Sequence, residues 1–121
     1  VIGIGIDLVE VQRMRETIAR TPTILDRLFT PAERAYAQAA RDPSQRFAAR
    51  FAAKEAAMKV LGVGVGDIGW HDVEVVRSTS GRPELRVTGR AGALADELGI
   101  TRWMVSLTHT DTMAEAVVAA A

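Results

Sequence analysis

The segment RFAARFAAKEAAMKVLG, from Arg46 to Gly62, has the spacing of a long helix, and its charges constrain what can surround it. At about 100° of rotation per residue, Ala48, Phe51, Ala52 and Met58 fall within roughly 60° of Glu55, while Arg46 and Arg50 fall on the opposite side. Lys59, one turn on, shares the Glu55 face. A lone carboxylate on an apolar face costs several kcal/mol of desolvation unless a cation or hydrogen-bond donors meet it. The plain solution is an i,i+4 pair of Glu55 with Lys59 on a solvated edge. The small residues Ala48, Ala52 and Ala56 leave room for another, a hydrated ion or a phosphate beside the carboxylate.

The chain of 121 residues, 48% apolar and 5% aromatic, is long enough for one core and too short for two ordinary domains, so residues 1–121 are expected to form a single domain. Fifteen basic and fifteen acidic residues balance, which removes the footprint of a general nucleic-acid or polybasic membrane binder. The absence of cysteine excludes disulfides, thiolate nucleophiles and cysteine metal sites. No apolar run approaches the length that spans a bilayer, and a cytoplasmic location is the expectation. Because the chain starts at Val1 rather than Met, a short leader ahead of it is left open.

Along the chain, VIGIGID (Val1 to Asp7) reads as a buried strand that delivers Asp7 to a loop or helix start. A helix follows from Val9 and ends before Thr21-Pro22. Thr30-Pro31-Ala32-Glu33 is a capping box with proline at the first helical position, predicting a helix from Pro31 to about Ala40. Asp42-Pro43-Ser44 then caps the long helix, and Gly62, Gly64 and Gly66 end it in a flexible loop. Strands are expected over Asp72–Arg77 and Glu84–Thr88, joined through the turn Ser80-Gly81-Arg82-Pro83. A short helix over Gly92–Leu98 stops at Gly99, and strands over Trp103–Leu107 and Ala114–Ala119 close the chain. The mixture predicts an α+β fold, antiparallel strands packed with one long central helix.

Several familiar motifs fail. GIGID has Leu8 where the third glycine of a dinucleotide fingerprint belongs, and Gly62-Val63-Gly64-Val65-Gly66 lacks the Gly-Lys-Ser/Thr ending of a P-loop. Ser106, His109 and Asp111 have the residue types of a hydrolase triad but lie too close in sequence to converge around a base. The two histidines are too far apart to form a helical zinc pair. What remains is Asp7, Glu55, Lys59 and His109, with Lys59 and His109 expected as cations near the carboxylates. Two hard carboxylates without histidine or thiolate ligands suit Mg²⁺, which shares its coordination with waters and substrate phosphates. The residues alone point to metal-assisted phosphate chemistry.

GIGIDLVEV near the N-terminus, RFAAKEAAMKVLG in the middle and VSLTHT near the C-terminus, in that order, resemble the holo-acyl-carrier-protein synthase family, the small bacterial 4′-phosphopantetheinyl transferases. The resemblance covers nearly the whole chain. It implies transfer of the phosphopantetheine arm of coenzyme A to a serine of apo acyl carrier protein, release of adenosine 3′,5′-bisphosphate, and a homotrimer with sites in the clefts between subunits. It further implies that Asp7 and Glu55 are Mg²⁺ ligands, that Lys59 lies beside the phosphates and His109 near the pyrophosphate. Arg13 matches a position that docks the acidic recognition helix of the carrier protein. Arg50, Gly64, Gly66 and the Gly81-Arg82-Pro83 turn match positions lining the coenzyme A pocket.

The chemistry fits these residues. A serine oxygen attacking a diester phosphorus needs its developing charge stabilised, which Mg²⁺ and Lys59 supply, and its proton removed. An ion-activated water, a neighbouring carboxylate or His109 each suits the second task. Two other classes compete: a Mg²⁺-dependent phosphohydrolase that uses water in place of the serine, and a non-catalytic module that binds a carrier protein or coenzyme A. A pure binder has little use for two carboxylates and a lysine gathered around a metal.

Overall fold

The computed structural model describes residues 1–121. Its first strand, β1 (Gly3–Glu10), alternates in a way that decides the rest. Gly3, Gly5, Asp7 and Val9 turn inward, whereas Ile4, Ile6 and Leu8 point outward and are 67%, 52% and 60% exposed. The expected buried strand is therefore buried on one face only, and its small face is the covered one. The strand also continues to Glu10, which pairs with Met113, so Asp7 lies inside the strand rather than at its end.

Four helices follow: α1 (Val11–Arg20), α2 (Ile24–Leu28), α3 (Pro31–Gln38) and α4 (Pro43–Leu61). The capping box of α3 forms as expected, Glu33 N donating to Thr30 Oγ1 (3.3 Å) and Thr30 N to Glu33 Oε1 (2.9 Å). Asp42 caps α4 by accepting from Ser44 N at 3.2 Å, and Gly62 ends it in the left-handed conformation at φ 72°. The five-residue helix α2 was not foreseen; it is too short to carry a period.

Beyond α4, β2 (Val73–Arg77) and β3 (Pro83–Val87) form a two-stranded antiparallel hairpin within one residue of expectation. Helix α5 (Gly89–Glu97) starts earlier than expected, entered through Gly89 at a φ of 57° that favours glycine, and ends before Gly99. Strands β4 (Trp103–His109) and β5 (Met113–Ala120) complete a three-stranded antiparallel sheet in the order β1-β5-β4. The fold class is α+β, with α4 at the centre. No helix is long and apolar enough to cross a membrane.

Helix α4 is covered around most of its circumference, which corrects the one-sided amphipathic reading. Ala52, Ala56, Ala57 and Met58 pack with Ala116, Val118 and Ala120 of β5 and with Val73 and Val75 of β2, while Phe47, Ala48 and Ala49 pack with Val11, Met14, Leu28 and Phe29. Alanines let neighbouring backbones approach closely. A Cβ added at Gly5 would lie 2.0 Å from Ala56 O, and one at Gly3 would lie 3.2 Å from Val60 Cγ1. The glycines of GIGID therefore serve β1–α4 contact, which is why the dinucleotide resemblance of this stretch is empty.

Such enclosure forces charges of α4 inward, Lys54 most completely. Lys54 is fully buried and donates to Glu33 Oε1 (2.8 Å), Val73 O (2.6 Å) and Trp70 O (3.1 Å). Glu33 also accepts from Val75 N at 2.9 Å, so the pair ties α3, α4 and β2 together with its polar atoms satisfied.

Two stability outcomes follow. Gly5→Ala should cost about 1–3 kcal/mol, because the backbone facing it cannot swing aside as a side chain would. An unchanged melting temperature would show that β1 can retreat from α4. Lys54→Met should cost about 3–5 kcal/mol by stranding Glu33 without its cation, measured by denaturant unfolding; a loss near zero would mean that Glu33 finds water instead.

Candidate active site

The approach of β1 to α4 brings Asp7 and Glu55 together. Asp7 follows Gly5 on the inward face of β1, and Glu55 precedes Ala56 on α4. Lys59, one turn further on, donates to Ile6 O at 2.7 Å and lies 3.4 Å from Asp7 Oδ1. The lysine thus pairs with the strand rather than with Glu55, and the i,i+4 pair expected within the helix does not form. Glu55, half-buried, is left with no hydrogen-bonded cation. Partial burial pushes its carboxyl pKa upward, Asp7 adds to the shift, and Lys59 opposes it.

Asp7 and Glu55 line a cleft of about 690 Å³ together with Arg13 of α1, and Val65 reaches it from the loop between Gly64 and Gly66. Phe51 and Trp70, stacked with ring centroids 5.3 Å apart, supply part of its apolar wall. Arg27 of α2 lies on this cleft as well. It was missed because the helix that presents it has no readable period. Gly64 and Gly66 flank the cleft without lining it; Gly66 has a φ of 94°, and Gly64 N donates to Asp67 Oδ2 at 2.8 Å.

His109 and Arg50 lie elsewhere. With Gly81 and Pro83 they line a second cleft of about 280 Å³, on the β4 side of α4. His109 stands opposite Ala114, which stands opposite Val9, so two strand spacings separate it from β1. Arg50 and Glu55 are five residues apart on one helix and point about 140° apart. The expectation that His109 would be a cation beside the carboxylates is therefore not met within one chain. The exposed Arg82 lines neither cleft; its carbonyl accepts from Ser78 N at 2.9 Å and closes the turn. Ser106 faces the outer side of the sheet, opposite Val117, while His109 follows the buried Ala114 register, so no triad forms.

The second cleft holds residues that the sequence did not single out. Tyr36 of α3 lies among Arg46, Arg50 and Arg77, whose guanidinium carbons are 4.0, 4.2 and 4.6 Å from its ring centroid. A signal existed: Arg46 and Arg50 are an i,i+4 pair of like charge, unfavourable on a helix unless an anion offsets it. Arg50 is only 4% exposed and its Nε has no partner. Burial pulls its pKa down, with Tyr36 and Glu33 pulling it back.

The two clefts supply opposite chemistries, a carboxylate pair with one lysine and a cluster of arginines with one histidine. No group of three or more His, Cys, Asp or Glu side chains gathers to hold a metal. The pair Asp7 and Glu55 fits an ion that completes its coordination with waters and substrate oxygens, as Mg²⁺ does.

The family model of the 4′-phosphopantetheinyl transferase superfamily matches residues 3–120. The chain belongs to that superfamily. The transferase is 52% identical over 120 residues to the holo-acyl-carrier-protein synthase of Frankia alni, covering 99% of this chain and 97% of that one. Among solved structures, the Neisseria meningitidis holo-acyl-carrier-protein synthase superposes with a TM-score of 0.89 at 28% identity, over 100% of this chain and 98% of that one. The Helicobacter pylori synthase in complex with coenzyme A gives 0.85 at 29% identity, over 98% and 99%.

The upward shift at Glu55 has a signed consequence. A carboxyl whose folded pKa lies above its unfolded value destabilises the native state when ionised, and the penalty disappears as pH falls through the folded value and then the unfolded one. In chelator, Glu55→Gln should therefore melt higher than the parent at neutral pH, with the gap closing below about pH 4, the unfolded glutamate range. A gap that widens on acidification would reverse the assigned cause.

Proposed function

We propose that this transferase moves the 4′-phosphopantetheine group of coenzyme A onto a serine hydroxyl of apo acyl carrier protein and releases adenosine 3′,5′-bisphosphate. The observation that carries the reading is the carboxylate pair with Lys59 on one side of α4, together with the cationic cleft on the other. In the transfer, the serine oxygen forms a bond to the phosphorus that bears the pantetheine arm. The bond from that phosphorus to the bridging pyrophosphate oxygen breaks, and the serine proton is lost. Asp7 and Glu55 would hold Mg²⁺, which supplies charge neutralisation at the reacting phosphates. Lys59, anchored by Ile6 O and half-exposed, offers its ammonium to the same oxygens. The apolar wall of Phe51 and Trp70 suits the pantetheine arm.

Arg13 and Arg27, both exposed at the first cleft, suit the acidic helix of a carrier protein. Arg50, His109 and the Gly81-Pro83 turn suit the nucleotide end of coenzyme A, with Gly64, Gly66 and Arg82 as flanking positions. One chain holds these halves apart, which supports a site completed between copies. The outward Ile4, Ile6 and Leu8 with Val117 form an open apolar sheet face of the kind that oligomers cover. A homotrimer of one 1–121 domain is our reading of both features. The cytoplasm, where coenzyme A and carrier proteins meet, is the compartment this implies.

Incubation of apo carrier protein with the enzyme, coenzyme A and Mg²⁺ should add one phosphopantetheine mass to the carrier by mass spectrometry. Product released from coenzyme A without an acceptor would instead establish a phosphohydrolase, and binding without product a non-catalytic module.

Assembly and docking give two further outcomes. Inactive Asp7→Ala and Arg50→Ala chains should regain part of their activity when co-assembled, since some clefts then combine intact halves; a fully active monomer by light scattering would refute shared sites. Arg13→Glu should raise the KM for carrier protein about tenfold at low salt while leaving that for coenzyme A unchanged. Equal carrier KM in parent and variant would make Arg13 an ordinary solvated arginine.

A further inference from the structure

The second cleft contains an arrangement that calls for explanation. Three guanidiniums, Arg46, Arg50 and Arg77, converge on the ring of Tyr36, and none of them forms an ion pair with a carboxylate. Glu33, the nearest buried acid, is already committed to Lys54, Thr30 N and Val75 N. Arg50 is nearly fully buried, forms no hydrogen bond through Nε, and lines the cleft. Like charges gathered this closely repel one another unless something draws them together. Tyr36 supplies that attraction: its ring face attracts each guanidinium, its carbonyl accepts from Arg46 Nη1 at 2.7 Å, and its hydroxyl accepts from Arg77 Nη1.

We infer that Tyr36 is a positioning residue, holding Arg46, Arg50 and Arg77 as one preassembled receptor for a phosphomonoester dianion. The inference rests on the transferase reading above and deepens it. The pyrophosphate belongs to the carboxylates and Lys59, so an arginine cluster across α4 takes a different group. Coenzyme A carries one, the phosphomonoester of its ribose, and adenosine 3′,5′-bisphosphate retains it. Guanidinium forks match phosphate oxygens, and arginines already ordered on a ring lose less freedom on binding than free ones. Tyr36 then acts through the arginines rather than on the reacting atoms, so its effect belongs to KM and depends on the phosphomonoester being present.

The test compares coenzyme A with 3′-dephospho-coenzyme A as donors, using the full-length parent, Tyr36→Leu and Tyr36→Phe. The parent should favour coenzyme A. Tyr36→Leu should raise the KM for coenzyme A about tenfold while leaving kcat and the KM for the dephospho donor unchanged, and Tyr36→Phe, which keeps the ring, should stay within about threefold of the parent. An equal rise for both donors, or no rise at all, overturns the positioning role. If Tyr36→Leu melts well below the parent, Arg77→Gln at an exposed position carries the same comparison: a rise confined to coenzyme A supports the receptor, and an unchanged KM sinks it. A parent that transfers from both donors with equal KM overturns this inference alone. A parent that transfers from neither overturns the transferase reading as well.

Discussion

The backbone contact between Gly5 and Ala56 governs the geometry of this protein. Where a Cβ would sit 2.0 Å from a carbonyl oxygen, no side chain fits, and strand and helix meet almost directly. That closeness has a chemical result, because Asp7 lies two residues beyond Gly5 and Glu55 lies one before Ala56. Two carboxylates that would repel each other on flexible elements are held on rigid ones. Lys59 completes the group by reaching back to Ile6 O, which makes the strand backbone part of the site. The approach also turns the larger side chains of β1 outward, since only the small face can meet the helix.

The charged residues of α4 illustrate three ways of accommodating charge on a buried helix. Lys54 is neutralised inside the protein by Glu33 and two carbonyls, and its role is architectural. Glu55 sits at the edge of a cleft with a carboxylate neighbour and no hydrogen-bonded cation, the setting of the metal site proposed above. Arg50 is buried against an aromatic ring among other arginines with its Nε unpartnered, the setting of the anion receptor proposed above. The internal pair is satisfied without any ligand, whereas the other two groups remain electrostatically incomplete. Incompleteness at rigid positions is what sets these two candidate site charges apart from the structural pair.

Much of this was readable from residue order. The capping residues Thr30, Glu33 and Asp42 and the stop at Gly62 carry local chemistry, and the elements they bound form where expected. The shared face of Glu55 and Lys59 also came through, because helical phase is a local property, whereas the role of Asp7 beside them was implied by the family resemblance. Tertiary partners did not. Glu33 reads as a capping residue and gives no sign of also meeting Lys54 across 21 positions. Arg50 reads only as lying with Arg46 on the side of α4 opposite Glu55, yet it is almost fully buried with its guanidinium against Tyr36. His109 was grouped with the carboxylates by chemistry alone, and the strand order β1-β5-β4 separates them. The family motifs keep these residues in order along the chain without saying which of them share a cleft.

Position of α4 accounts for that separation. A central helix enclosed by sheet and helices gives a small domain a dense core, but it occupies the volume in which a large ligand would otherwise be buried. What remains are surface clefts on either side, one carrying carboxylates and a lysine and the other arginines and a histidine. Coenzyme A has two charged regions of its own, a pyrophosphate that pairs with a metal and a ribose phosphomonoester that does not. In the trimer proposed above, rotation about a closed axis would bring the front of one chain to the back of the next, so that the two cleft types could grip both regions of one ligand. The outward Ile4, Ile6 and Leu8 are the apolar area such an assembly would cover. The same glycine contact that brings the two carboxylates together thus also turns this apolar face outward.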